Sequence, residues 1–237
     1  KNFLGSSVTI PHKEIIINYL VKIDINAKNI GSVNTFVKIK NKLVGYNTDY
    51  YGSLFSLKKC KLKKSKNKIL VLGCGGAGKA CIASVINYFN NSEIIFFNRN
   101  QKKLKFFLKN FKNKNKNKLK QINKYIQIKK YKNINLILNT TSIGFDTWFK
   151  DNNKKFFLKN YCPLSKVQFV SIKNKNEEIF VEKNRSNIIK NVTESFNILR
   201  NLKNVMIFDI IYSPKETILI KLSKLFGFKI MNGLNMN

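Results

Sequence analysis

The sequence predicts two α/β domains, one of them built on an open parallel sheet with right-handed crossovers. Three observations lead there. From Lys68 onward, short apolar runs alternate with segments of helix length. The runs at residues 69–72 and 94–97 are apolar throughout, as expected of parallel strands buried on both faces. Between them, Gly73, Gly75 and Gly78 stand where a strand should turn into a helix.

Taken in order, residues 6–10 alternate small and branched side chains and read as a strand. Pro11 stops it and suits the first turn of a helix running through Glu14 to Leu20. Residues 32–39 form a second strand, followed by a turn and a short strand at 43–46. A helix begins near Thr48 and runs to about Leu57, and the Lys-rich stretch 58–68 is a domain connection. Beyond it come strand 69–72, helix 79–89, strand 94–97, helix 101–111 and later buried strands at 136–139 and 205–211. Lys112 to Lys120 is almost pure Lys and Asn and reads as a solvated loop or a frayed helix end. Residues 146–204 are long, polar and irregular, with minor elements expected at 156–158 and 167–172.

At 237 residues the chain has room for one or two domains of about 100–200 residues. A hydrophobic content of 43% is enough to bury real cores. The chain lacks Met at position 1 and opens in the approach to a strand, so it reads as an excerpt of a longer polypeptide. Its net charge of +33 would suggest nucleic acid or an anionic surface as partner if the charge were clustered. Instead the lysines are spread throughout and travel with Asn, Ile and Phe, residues that share AT-rich codons. The charge therefore implies weak, salt-sensitive adhesion to polyanions, with no specific nucleic-acid or membrane partner. Cys60, Cys74, Cys81 and Cys162 form no CxxC pair and His12 is the single histidine, so no metal site is expected. Unpaired cysteines fit a reducing, cytoplasmic setting. No apolar stretch reaches the roughly 18 residues a membrane helix requires.

Gly73, Gly75 and Gly78 fit G-x-G-x-x-G directly after one predicted strand and directly before a helix. The first glycine permits the tight turn, the second lets the backbone approach a pyrophosphate, and the third allows close helix–strand packing. N–H groups at the helix N-terminus then face the phosphates. The next strand ends Phe97-Asn98-Arg99, with Lys102 and Lys103 beyond. An NAD site places a carboxylate there for the ribose 2′-hydroxyl, whereas a guanidinium suits a 2′-phosphate, so the dinucleotide expected is NADP.

Three phrases before residue 53 are rich in polar groups at strand ends: Ser7-Val8-Thr9-Ile10-Pro11-His12-Lys13, Gly31-Ser32-Val33-Asn34-Thr35 and Gly45-Tyr46-Asn47-Thr48-Asp49-Tyr50-Tyr51-Gly52. Here the sequence resembles the shikimate dehydrogenase family, whose signatures are NVTxPxK, GAVNT and GxNTDxxG in this order. The glycine loop, Asn98-Arg99, Asn139-Thr140-Thr141-Ser142-Ile143-Gly144, Asp209-Ile210-Ile211-Tyr212-Ser213-Pro214 and Gly233-Leu234-Asn235-Met236 also resemble family motifs. The resemblance implies a Rossmann-like NADP-binding domain at 63–225, with an insertion at 146–204. It also implies a partial α/β substrate domain at 1–62, completed by 226–237.

The same resemblance implies catalytic roles for Lys13 and Asp49 and substrate contacts at Thr9, Asn34 and Tyr212. It sets Gly73, Gly75, Gly76, Ala77 and Gly78 along the cofactor. Asn98, Arg99 and Lys103 fall at the adenosine end, and Asn139, Thr140 and Gly233 are further cofactor contacts. His12 occupies a variable position. Ser7 replaces the Asn of NVTxPxK, and the family's Ser-x-Ser and closing Gln have no counterpart.

Elementary chemistry agrees with those roles. Reducing a ketone by hydride builds negative charge on oxygen, which a lysine held by a carboxylate can neutralise and protonate. The activity implied is the reversible NADP-dependent reduction of 3-dehydroshikimate to shikimate, small-molecule chemistry by a monomer, a homodimer or part of a multifunctional polypeptide. Two other readings stand beside it. One is a quinate/shikimate dehydrogenase that also uses NAD; the other is a non-catalytic remnant of the fold that binds polyanions.

Overall fold

The computed structural model describes residues 3–9, 12–111 and 114–236. The expectations for Ile10 and Pro11, and for the first two residues of the Lys/Asn run, lie outside the described residues.

The first lobe opens with β1 (Gly5–Ser7), β2 (Lys22–Ile23), α1 (Ile25–Ile30), β3 (Thr35–Ile39), β4 (Lys42–Tyr46) and α2 (Thr48–Lys59). Its four strands lie in the order β1-β3-β4-β2, with β1–β3 and β3–β4 antiparallel and β2–β4 parallel. The helix expected through Glu14 to Leu20 is instead a 3-10 helix at Ile15–Tyr19 with no side-chain cap. Three consecutive isoleucines crowd an α-helical turn, and an uncapped segment of this length gains too little to propagate one. By contrast α1 is capped at both ends: Asp24 accepts from the N–H groups of Asn26 and Ala27, and Gly31 closes it at φ 66°.

The second lobe carries β5 (Lys68–Leu72), α3 (Gly76–Tyr88), β6 (Glu93–Phe97), α4 (Gln101–Leu108), β7 (Lys118–Ile122) and β8 (Leu136–Asn139). It continues with β9 (Trp148–Asp151), β10 (Lys154–Phe157), α5 (Glu177–Leu199), β11 (Met206–Asp209), α6 (Ile218–Leu225) and β12 (Lys229–Asn232). Six parallel strands lie in the order β12-β11-β8-β5-β6-β7. Counted from β5, this is the 3-2-1-4-5-6 order of doubly wound nucleotide-binding sheets, with its switch point between β5 and β8. Ile69 and Val71 face one core with α2, α3 and α4, while Leu70 and Leu72 face the other with α6 and the end of α5. Burial on both faces is why these strands read as unbroken apolar runs.

Two segments differ from their sequence reading. Lys118 to Lys120, expected in a loop, belong to edge strand β7, and Asn117 is buried, donating to the carbonyls of Ile86 and Phe89 at the end of α3. An edge strand can be lysine-rich because one rim faces solvent, and the charge discourages pairing with other chains. Residues 146–204, expected to be irregular, hold the β9–β10 hairpin and the 23-residue α5. Parallel neighbours β8 and β11 require a crossover, and α5 supplies it. At the C-terminus, residues 226–236 are divided: β12 joins the six-stranded sheet, while the 3-10 turn Gly233–Met236 packs on α2 beside Gly52.

Candidate active site

The residues expected to be catalytic gather around the start of α2. The Asn47 side chain accepts from the N–H of Tyr50 at 3.2 Å and donates to the Ser32 carbonyl at 2.8 Å, so the helix begins at Thr48 beside the β3 strand entry. Asp49 therefore lies in the first turn, where the helix dipole favours a carboxylate. Lys13 is drawn in by its own backbone, its carbonyl accepting from Val33 N–H at 2.8 Å. Its Nζ donates to Asp49 Oδ2 at 2.8 Å, with the two side chains 15% and 22% exposed. Asn34 Nδ2 donates to Asp49 Oδ1 and to Thr48 Oγ1, both at 2.9 Å, and Asn34 Oδ1 accepts from Thr48 N–H at 2.8 Å. Both oxygens of Asp49 thus have a donor, and the carboxylate has one orientation.

The cofactor side follows from strand register. Ile122, Phe97, Leu72, Asn139, Asp209 and Asn232 form one row across the sheet. The glycine loop, Asn98-Arg99, Thr140, the approach to Tyr212 and Gly233 all follow that row, at the carboxyl edge where ligands of such sheets bind. Gly73 has φ 98°, and a Cβ there would lie 2.7 Å from Thr140 Oγ1. A Cβ on Gly78 would meet the same oxygen at 2.7 Å, and Thr140 cannot retreat easily because it donates to the Leu72 carbonyl. A Cβ on Gly75 would meet nothing within 4 Å. Two glycines are thus needed for packing and one borders open space, which fits a loop that accepts a pyrophosphate against its backbone. The first-turn N–H groups of α3 have no intrahelical partners by geometry and point the same way.

The two sides meet. Helices α2 and α3 pack together through Ser53 and Ser84, whose hydroxyls are 2.7 Å apart, and Asn87 donates to the Tyr50 hydroxyl at 2.9 Å. A Cβ on Gly76 would lie 3.8 Å from Lys13 Cδ, so the glycine loop borders the lysine.

Residues 1–36 match the family described as the shikimate dehydrogenase substrate binding domain. Over nearly its whole length the chain is 31% identical to the shikimate dehydrogenase (NADP(+)) of Carboxydothermus hydrogenoformans, covering 99% of this chain and 68% of that relative. It is 34% identical to the enzyme of the same name from Dictyoglomus thermophilum, covering 98% of this chain and 67% of the relative. This chain belongs to the shikimate dehydrogenase family. A crystal structure of a shikimate dehydrogenase in complex with NADP+ superposes with a TM-score of 0.68 at 26% identity, covering 98% of this chain and 66% of that one.

Set against that family, the remaining expected residues divide. Lys13, Asp49 and Asn34 form one network, whereas Thr9 is exposed and uses its carbonyl to accept from His12 N–H at 2.8 Å. His12 is exposed, and Tyr212 is 47% exposed beyond β11. Arg99 is exposed past the end of β6, and Asn98 Nδ2 donates to the Asn100 carbonyl at 2.7 Å. Asn139 is fully buried, its Nδ2 donating to Asp209 Oδ1 at 2.9 Å while its Oδ1 accepts from Thr141. Burial pushes the Asp209 carboxyl up to about 6, against hydrogen bonds from Thr217, Ile211 N–H and Asn139 that favour its charge. Gly233 lies tight against the backbone of Ile210.

Three residues that were given no role in the sequence join these networks: Thr48, Lys79 and Glu14. Lys79 Nζ and Lys103 Nζ both reach Glu14 Oε1, at 2.8 and 3.4 Å. Position alone could have flagged Lys79, which follows the third glycine, and Glu14, which follows Lys13. The four cysteines are buried, with Cys81 and Cys162 pushed up to about 12, so none offers a thiolate near neutral pH. Among the described residues no group of three or more His, Cys, Asp or Glu could hold a metal, and no helix is long and apolar enough to cross a membrane.

Proposed function

We propose that this chain catalyses the reversible NADP-dependent reduction of 3-dehydroshikimate to shikimate, in a cleft between the four-stranded lobe and the six-stranded lobe. The observation that carries it is the Lys13 Nζ–Asp49 Oδ2 pair, at 2.8 Å, beside the glycine loop. NADPH, when bound, supplies the hydride for the carbonyl carbon of the substrate. Gly73 to Gly78 hold its pyrophosphate, and Arg99 with Lys103 bind its 2′-phosphate. Lys13 Nζ stands by the carbonyl oxygen, stabilises the charge that grows there and donates the proton that completes the alcohol. Asp49 holds that ammonium in place, Asn34 holds Asp49 and Thr48 in turn holds Asn34, so little reorganisation is needed as charge develops. In the reverse direction the same nitrogen takes the hydroxyl proton.

Tyr212 and Thr9 are assigned to the substrate side of the cleft. NADP is favoured over NAD because β6 is followed by Asn98-Arg99, where no carboxylate stands to accept from a ribose 2′-hydroxyl. The protein acts on a small molecule, with its lysines dispersed in keeping with a solvated surface. The test is direct: purified protein should consume NADPH when 3-dehydroshikimate is added and consume NADH far more slowly. Equal use of the two cofactors would favour the quinate/shikimate alternative, and no turnover with either would favour a non-catalytic remnant.

A further inference from the structure

Glu14 is the neighbour of the proposed catalytic lysine, yet its side chain reaches the other lobe. Its Oε1 accepts from Lys79 Nζ at 2.8 Å and from Lys103 Nζ at 3.4 Å. Lys79 lies in the first turn of α3, with its side chain 12% exposed, and Lys103 lies in the first turn of α4. Neither helix carries an acidic residue in its own first turn. Among the described residues neither lysine has an ion-pair partner other than Glu14. The hydrogen bond from Lys79, foremost, holds the Glu14 carboxyl below the usual carboxylate range even though burial opposes it. A full negative charge therefore sits between two ammonium groups at the helix ends assigned to the cofactor's phosphates.

We infer that Glu14 is a specificity-determining residue of the cofactor site, whose carboxylate competes with the 2′-phosphate of NADP for Lys103 and Lys79. The inference rests on the NADP reading above. A phosphate monoester brings close to two negative charges and three acceptor oxygens. To bond Lys103 it must share the ammonium with a carboxylate of like charge or displace it. NAD brings only a hydroxyl at that place, which a carboxylate does not repel. Glu14 thus narrows the preference for NADP that Arg99 and Lys103 create, and it does so from the catalytic lobe. Occupying these lysines with a 2′-phosphate also removes a tie between the lobes.

The experiment is calorimetric titration of wild type, Glu14→Gln and Glu14→Ala with NADP+, NAD+, 2′,5′-ADP and 5′-AMP, with melting curves to verify folding. Both variants should bind NADP+ and 2′,5′-ADP about two- to fivefold tighter, the range that loss of a partly exposed ion pair represents. NAD+ and 5′-AMP should change less. Unchanged or weaker NADP+ binding in both variants, with wild type binding normally, would mean that Glu14 positions the lysines, and the inference would be overturned. Equal tightening for NAD+ and NADP+ would also overturn it. If wild type itself bound no NADP+, the cofactor reading would fall, and that result is distinct from the other two.

Discussion

Replacing Gly75 by alanine should leave the fold intact and weaken cofactor binding, whereas the same change at Gly78 should do the reverse of the first part. Gly75 has φ −78° and ψ −165°, an extended conformation open to alanine, and the added methyl meets no atom within 4 Å. Stability should therefore hold or rise by about 0.4–1 kcal/mol, through a less flexible unfolded chain. The methyl would occupy the space through which a pyrophosphate approaches backbone N–H groups. Losing a charge-assisted hydrogen bond there costs about 1.5–3 kcal/mol, or roughly ten- to a hundredfold in the dissociation constant. At Gly78 the methyl would lie 2.7 Å from Thr140 Oγ1 and 3.4 Å from Thr140 Cβ. Thr140 is buried and tied to the Leu72 carbonyl at 2.8 Å, so relief requires breaking that bond or shifting the helix. Overpacking of this kind costs about 1–3 kcal/mol, a fall of some 2–12 °C in Tm for a chain of this size. Melting curves and NADP+ titration of the two variants check both halves. NADP+ binding by Gly75→Ala at wild-type strength would refute the placement of the pyrophosphate on this loop.

Other perturbations have equally defined outcomes. Arg99→Ala should weaken NADP+ binding by about 1.5–3 kcal/mol and NAD+ binding much less, as paired titrations would reveal; equal losses would mean that Arg99 does not read the 2′-phosphate. Asp209 has a folded-state pKa of about 6, above its unfolded value, so its contribution to stability is full below the unfolded pKa and is lost as pH rises through 6. Asp209→Asn should remove that slope, on the order of 3 kcal/mol at most, between pH 4 and 7 in denaturant titrations. Asn117→Ala should cost about 1–3 kcal/mol in the same assay, because it leaves the Phe89 carbonyl and the Ser92 N–H without their partner, while the Ile86 carbonyl keeps Asn115.

Much of this architecture was legible where burial and residue type agree. β5, β6 and β8 are apolar on both faces because both faces are covered, and their limits fall within a residue of the sequence expectation. The resemblance picked out Lys13, Asp49 and Asn34 as candidates, and the hydrogen bonds that join the three come from the structure alone. Helix α5 was not, because its inward positions include Asn184, Asn191 and Ser195, which break the apolar period. Those asparagines serve as clasps: Asn184 bonds both backbone groups of Val170, and Asn191 both of Cys162. Edge strand β7 escaped for a related reason, since Lys118 and Lys120 look like loop residues while pairing on one rim only. Glu14 could not be found by periodicity at all, because its partners lie 65 and 89 residues away.

In the proposed reaction Lys13, held by Asp49, supplies the proton for carbonyl reduction. Lys13→Ala, compared with wild type in steady-state oxidation of NADPH by 3-dehydroshikimate, tests it most directly. The substitution should lower kcat by about 10²–10⁴-fold, the range for losing a positioned acid, with the NADP+ dissociation constant nearly unchanged. A kcat close to that of wild type would contradict it.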